Sequence, residues 1–340
     1  MWRATGTLAT MDTIARVANV AVVANVAVAA AALALHGVCA AAPHNDEVQR
    51  FAVIGNNFIH ADGEARLKQA LADSSEAALA FVVVTGIKSV AEPCSDKLYE
   101  RRRDLLDEAR RPVIVAPAAA DWSVCKNAGR SIAADRLAHW REVFASELQS
   151  LGARKLPLNR QSSSAKFRSY AENAYWELGD VLYATVNLPA DNNHFRPEAG
   201  RNSEFEDRLV ANRYWLHQLF AFARRDKLRA IVLVSEGDVK ALAQPTGLRA
   251  LLGRTNGPHD GFDEPRKQIA SLAQRFSGKV LLIDTAAPDA GKPTIVWRGN
   301  LGHLSLGSNA VEVRLNRAAP TLFEVSDPAH SPSDGGPARH

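Results

Sequence analysis

The sequence predicts a layered α/β fold. Three observations carry that expectation. Strand-like and helix-like segments alternate from Phe51 to Ile283, the early strands are continuous apolar runs such as "ALAFVVV" (Ala78–Val84), and some strands after Val181 adjoin with no helix between them. Uninterrupted apolar strands belong to parallel sheets covered on both faces, and intervening helices supply the cover. The adjoining late strands predict a second, mixed sheet.

The elements follow in order. Phe51–Ile54 is a short apolar run ending at Gly55-Asn56-Asn57, and Glu64–Ala72 has helical spacing. Ala78–Val84 is the second strand, Asp96–Ala109 a helix and Val113–Ala116 the third strand. Between Ile132 and Leu151, residues Leu137, Trp140, Phe144 and Leu148 recur at three- and four-residue steps, the stripe of an amphipathic helix. Val181–Leu188 is a fourth strand. A long helix then runs from about Glu204 to Arg224 with Leu209, Leu216, Leu219 and Phe220 on its inner side. Strand Ala230–Val234, a loop carrying Gly247, Gly253 and Gly257, helix Glu264–Phe276 and strand Val280–Ile283 come next. Two further strands, Asn300–Leu306 and Ala310–Leu315, precede "TLFEV".

Both ends differ from this pattern. In residues 1–42, Arg3 and Arg16 precede the nearly charge-free run Val17–Leu35, and "HGVCAAAP" follows. That is the layout of a secretory signal peptide cleaved after Ala40 or Ala41, or of an anchor if the segment is retained. Residues 326–340, "SDPAHSPSDGGPARH", have the composition of a disordered tail. The domain therefore spans residues 48–325, and the chain is expected in the periplasm or secreted. In an oxidising compartment Cys94 and Cys125, each following a strand end, form one disulfide between neighbouring loops.

Composition excludes some classes of function. With 46% apolar and 23% charged residues the chain is globular, and its net charge of +4 is small for 340 residues. The densest basic run, Arg101–Arg103, lies in a helical pattern and reads as a solvated face, so no nucleic-acid partner is expected. No G-x-G-x-x-G is present, and Ser235 in "LVSEGD" has no glycine-flanked elbow, so neither a dinucleotide nor a serine-nucleophile reading is supported.

The chemistry of an open α/β sheet sits at the carboxyl ends of its strands. Here those ends read "VIGNNFIH" (Val53–His60), "VVVTGIKSVAEPCSD" (Val82–Asp96) and "VIVAPAAADWSVC" (Val113–Cys125). Through Ile87-Lys88-Ser89, Pro93-Cys94-Ser95-Asp96, Pro117, Asp121-Trp122 and Cys125, the sequence resembles the calcineurin-like metallophosphoesterases, in particular an exported bacterial subgroup. The similarity continues through Arg160-Gln161, Tyr170, Glu172-Asn173, Trp176, Asn192-Asn193, "ANRYWL" (Ala211–Leu216), "FDEPRKQIASLAQRFSGKVLLI" (Phe262–Ile283) and Asn300-Leu301. It covers roughly residues 48–325.

The resemblance implies an α/β/β/α sandwich and a two-metal hydrolase of phosphate esters. In such a centre, cations about 3.5–4 Å apart share a bridging carboxylate and activate a water. The ligand positions depart from that pattern. The first-strand aspartate is Asn56, the bridging carboxylate is replaced by Gly86, and the Gly-Asp-Asn of the third strand is Ala118-Ala119-Ala120. Ala120 thus stands where the metal-binding amide belongs. "LLIDTAAP" (Leu281–Pro288) lacks the late histidine motif, "VLVSEGD" lacks a histidine as well, and "GHLS" (Gly302–Ser305) imitates the motif by chance in the following strand. His60 lies too far beyond Asn56 for an aspartate-x-histidine spacing and reads as a surface residue.

Two divalent ions ~4 Å apart repel by about 16 kcal/mol even at an effective dielectric of about 20, so they need anionic ligands. The expectation is an exported pseudoenzyme with a binding or scaffolding role and no cofactor. A residual pocket is expected at Asn56, Lys88, Asp121, Asn193 and His194, with a small anion or phosphate-containing ligand drawn to Lys88. The alternative is an active phosphoesterase that holds one divalent metal ion with Asn56, Asp121, His194 and Asp284.

Overall fold

Two sheets lie face to face between two layers of helices. The computed structural model describes residues 49–326 apart from 199, 201, 243–258 and 290. The leader, the tail beyond Ser326 and the loop of Gly247, Gly253 and Gly257 lie outside the described residues. The five-stranded sheet contains β1 (Arg50–Ile54), β2 (Val82–Thr85) and β3 (Val113–Ala116), all parallel. Small strands follow in the chain: β4 (Lys126–Asn127) pairs with β5 (Arg130–Ser131), and β6 (Asn159–Arg160) edges the second sheet. That sheet continues with β7 (Ala174–Leu178), β8 (Val181–Thr185), β9 (Ala230–Val234), β10 (Lys279–Asp284), β11 (Ile295–Arg298) and β12 (Leu301–Ser305). The chain then returns to the first sheet as β13 (Ala310–Leu315) and β14 (Phe323–Ser326).

Strand order is β14-β13-β1-β2-β3 in one sheet and β11-β12-β10-β9-β8-β7-β6 in the other. The centre of the larger sheet, β8, β9, β10 and β12, is parallel, with antiparallel strands at its edges. Alternation along each strand sorts the side chains into layers. Phe51, Val53, Phe81 and Val83 meet Trp176, Tyr183, Val232 and Ile283 between the sheets. On the outer side of the small sheet, Ile54, Val82 and Val115 pack against helices α1 (Gly63–Glu76), α2 (Asp96–Asp107) and α4 (Ala133–Phe144) through Leu67, Tyr99, Leu106 and Trp140. The short α3 (Ala119–Trp122) lies between α2 and α4 in the chain. Outside the large sheet, Leu182, Ile231 and Leu282 pack on α5 (Ser203–Arg225) and α6 (Asp263–Gln274) through Trp215, Phe220 and Leu272. The result is an α/β/β/α sandwich, and both faces of each central strand are buried.

Three local expectations are corrected. The second strand begins at Val82, because Leu79 and Ala80 turn to meet Ala77 and Arg50 through their amides. The fourth helix stops at Phe144 rather than Leu151, since Leu151 exchanges two backbone hydrogen bonds with Val113 and is drawn to the edge of β3. Leu148 is consequently 58% exposed. In α5 the inward position beside Leu209 belongs to Arg208, which is fully buried. Its guanidinium donates to the carbonyl of Asn187 and to the side chain and carbonyl of Asn193, and it pairs with Glu204. Among the described residues no helix is long and apolar enough to cross a membrane.

Candidate functional site

The parallel strands of both sheets deliver their carboxyl ends to one mouth. After β1 the chain passes through Asn56, after β2 through Gly86 and Lys88, and after β3 through Ala118–Asp121. Gly86 has φ +78°, and a Cβ placed on it would lie 3.0 Å from Cβ of Ala118, 3.8 Å from Oδ1 of Asp121 and 3.9 Å from Oδ1 of Asn56. Asn56, Gly86, Ala118 and Asp121 are therefore immediate neighbours.

Backbone groups occupy the carboxylates. Asp121 is fully buried; its Oδ1 accepts the amide hydrogen of Ile87 at 2.9 Å and its Oδ2 that of Ala118 at 2.8 Å. The second bond reaches back over the first turn of α3, an acid in the place where it satisfies a free helix-start amide. Burial pushes the Asp121 carboxyl up to about 6 against the pull of those amides and of Lys88. Lys88 is also fully buried, and its Nζ donates to the carbonyls of Ser89 at 2.7 Å and Ala120 at 2.8 Å. Burial lowers its pKa while Asp121 and Glu92 oppose the shift. The ammonium thus presents no surface to solvent.

The opposite sheet contributes Glu236, in the loop after β9. Its Oε2 accepts from the amides of Ala119 at 2.6 Å and Ala190 at 2.8 Å. Burial pushes this carboxyl up to about 8, partly countered by the two amides and reinforced by the charges of Asp121 and Asp191. Tyr99 donates its hydroxyl to the carbonyl of Asp121. The loops after β2 and β3 are further joined by the disulfide Cys94–Cys125. Asn56 Oδ1 and Thr85 Oγ1 are buried without a hydrogen-bond partner in the structure.

Asn193 and His194 form the rim with Asp191. Asn192, Asn193 and His194 have φ of 56°, 54° and 56°, three consecutive residues in a left-handed conformation that side chains disfavour. Arg208 holds Asn193 from below, and Asn193 Nδ2 donates to the carbonyl of Gly261 at 2.9 Å. His194 lies 4.7 Å from the ring of the buried Trp122, with Nδ1 3.2 Å from Asp191 Oδ2. Ser123 Oγ is within 2.8 Å of that same Asp191 oxygen. Burial raises the Asp191 carboxyl, but His194 and Ser123 outweigh it and leave its pKa below the usual value. His60 Nε2 meets Ser308 Oγ at 2.9 Å.

Asp284 does not join this group. Its strand neighbours Val280 and Leu282 belong to the helix-side core, and its carboxylate meets His303 on that side of the sheet. Sequence reasoning passed over Glu236: alternation carries it to the side of Val232 and Val234, but only the fold shows that this side meets the other sheet. It also set aside the histidine of "GHLS", which the structure places in β12 beside β10.

These features define an α/β/β/α protein whose strand-end loops are tied together by its own carboxylates and lysine. No protein-family model matches the chain, and no curated protein matches it. Among solved structures it is similar to one described as a novel phosphatase from Mycoplasma pneumoniae, at 14% identity over 76% of this chain and 71% of that one, with a TM-score of 0.39.

Proposed function

We propose that the chain is an exported, metallophosphoesterase-like protein that has lost its binuclear centre and acts by binding or scaffolding rather than catalysis. The observation that carries this reading is the saturation of the mouth. Asp121 spends both oxygens on amides, Glu236 spends one on two amides, and Lys88 neutralises charge where cations would need it. Gly86 and Ala118–Ala120 supply no side-chain donor, and Asn56 offers one neutral oxygen. That donor set does not fit two divalent ions, which require several anionic oxygens or imidazoles. The buried Lys88, spent on two carbonyls, is also a poor anion site. The disulfide supports an oxidising compartment.

The alternative of a one-ion catalyst using Asn56, Asp121, His194 and Asp284 has against it that Asp284 points into the helix side of the sheet. The test is hydrolysis of aryl phosphate mono- and diesters by the purified chain with added Mn2+, Fe2+ or Zn2+. No turnover above blank is expected. Turnover that disappears in Asp121→Ala, or a bound ion lost in that variant, overturns the proposal.

A further inference from the structure

A second group of ligating side chains lies away from the mouth, on the helix side of the large sheet. Asp284 ends β10, His303 sits in β12, and Asp238 lies in the loop after β9. Parallel pairing sets Leu282 against His303 and Asp284 against Ser305. Alternation then turns Asp284, His303 and Ser305 to the side of Leu282 and Leu301, while Ile283 and Leu304 face the other sheet.

The donor atoms converge. His303 Nε2 lies 2.5 Å from Asp284 Oδ2, 3.5 Å from Asp238 Oδ1 and 3.4 Å from Ser305 Oγ. One ligand atom from each of Asp238, Asp284 and His303 lies within 4.8 Å of the other two. A single ring nitrogen carries at most one hydrogen, which two carboxylates must share; one cation among them satisfies all three at once. The site is also built to hold its ligands still. Asp284 Oδ1 accepts the amide of Ala286 at 2.9 Å, which orients the remaining oxygen in the way outer hydrogen bonds orient metal-ligating carboxylates. Access is independent of that cluster. Asp238 and His303 keep 23% and 19% of their side chains exposed, and a small cavity lined by Val186, Leu188, Ser235, Gly237, Leu282 and Asp284 adjoins the buried side. Solvent can therefore complete a coordination shell from the exposed side, at Asp238 and His303.

We propose that Asp238, Asp284 and His303 bind one divalent transition-metal ion of the zinc class. An imidazole with two carboxylates suits zinc, cobalt and manganese better than calcium or magnesium, which favour all-oxygen shells. This site does not depend on the proposed reading of the mouth; it shares only Asp284 with the one-ion alternative set aside above.

The experiment is calorimetric titration of the tag-free, chelator-treated full chain with Zn2+, with Co2+ visible absorption as a second readout. One equivalent is expected to bind. In His303→Gln and in Asp238→Asn the affinity should fall by roughly a hundredfold or more, with the circular dichroism of the folded protein unchanged. Both positions are partly exposed, so neither variant opens a cavity, and any loss of metal-free stability from unpairing Asp284 is read separately from the affinity. Failure of the wild-type chain to bind at submillimolar Zn2+ overturns the proposal, as does equal binding by wild type and both variants. Two equivalents, of which His303→Gln loses one and Asp121→Ala the other, uphold this site and overturn the silent mouth. An ion lost only in Asp121→Ala overturns this site.

Discussion

Glu236 accepts the amide hydrogen of Ala119 at 2.6 Å across 117 residues of chain, and the same oxygen accepts Ala190 at 2.8 Å. One carboxyl group of the large sheet thus closes the loop after β3 and the loop after β8. Removing it strands the buried amide of Ala119 and frees that of Ala190, an exposed residue, to water. Glu236→Ala should destabilise the protein by about 1–3 kcal/mol, the cost expected for one unpaired buried amide. Glu236→Gln keeps a carbonyl oxygen and should stay within about 1 kcal/mol of wild type at pH 5. Chemical denaturation of the three proteins measures this; an alanine variant as stable as glutamine would remove Glu236 from its bridging role.

The same carboxyl should make stability depend on pH. Its folded pKa is raised to about 8 from 4.5, and that of Asp121 to about 6 from 3.8, both chiefly by burial. Raised acids favour the folded state most when protonated in both states. Their contribution is full below the unfolded values and is lost as pH rises through about 6 and then about 8. Each unit of difference corresponds to about 1.4 kcal/mol, so the Glu236 share alone is on the order of a few kcal/mol. Glu236→Gln cannot ionise and should escape its share. The unfolding midpoint of the variant relative to wild type should therefore rise between pH 5 and pH 8.5. A constant gap across that range would show that Glu236 is not held protonated.

Gly86 is a position that tolerates no side chain easily, an acid included. Its φ of +78° already disfavours any side chain, and a Cβ there would press on Ala118 at 3.0 Å. Gly129 has the same φ with nothing within 4 Å of its would-be Cβ. Gly129→Ala should cost about 1 kcal/mol from backbone strain alone, and Gly86→Ala about 1–3 kcal/mol. Gly86→Asp should be destabilised likewise and gain no Mn2+ binding by calorimetry. Equal losses at the two glycines would mean that the contact with Ala118 is absorbed at no cost.

The strands at the centre of both sheets are legible because each is buried on two faces and therefore apolar throughout. Edge strands are not. In β11 the residues alternate between half-buried and exposed, and "IVWR" carries too little pattern to separate from loop. Helix α4 was overrun because Leu148 continues its stripe, while the bonds that end it come from Val113, distant in sequence. At the site, the cluster of Asn56, Gly86 and Asp121 follows from strand order alone. Glu236 required knowing which face of β9 meets the other sheet. The meeting of His303 with Asp284 depends on the register of β10 against β12, which no local spacing encodes.

The disulfide offers a last test that links stability to the mouth. Cys94 and Cys125 have Cα atoms 5.9 Å apart and a sequence separation of 31. Cys94 follows the loop of Lys88, and Cys125 follows the helix start that Asp121 caps. The bond also sits under Arg136, whose Nη1 donates to the carbonyl of Cys94 at 3.0 Å. A closed loop of this length restricts the unfolded chain by about 3–4 kcal/mol. In a chain carrying Cys39→Ser, which removes the remaining cysteine, no thiol should label in the native state without reductant. Replacing Cys94 and Cys125 by serine should lower stability by that amount. It should also speed hydrogen exchange of the Ile87 and Ala118 amides, because those two donors meet on Asp121 between the bridged loops. If stability falls while those two amides keep their protection, the bond acts on the unfolded chain alone and the mouth is held by its hydrogen bonds without it.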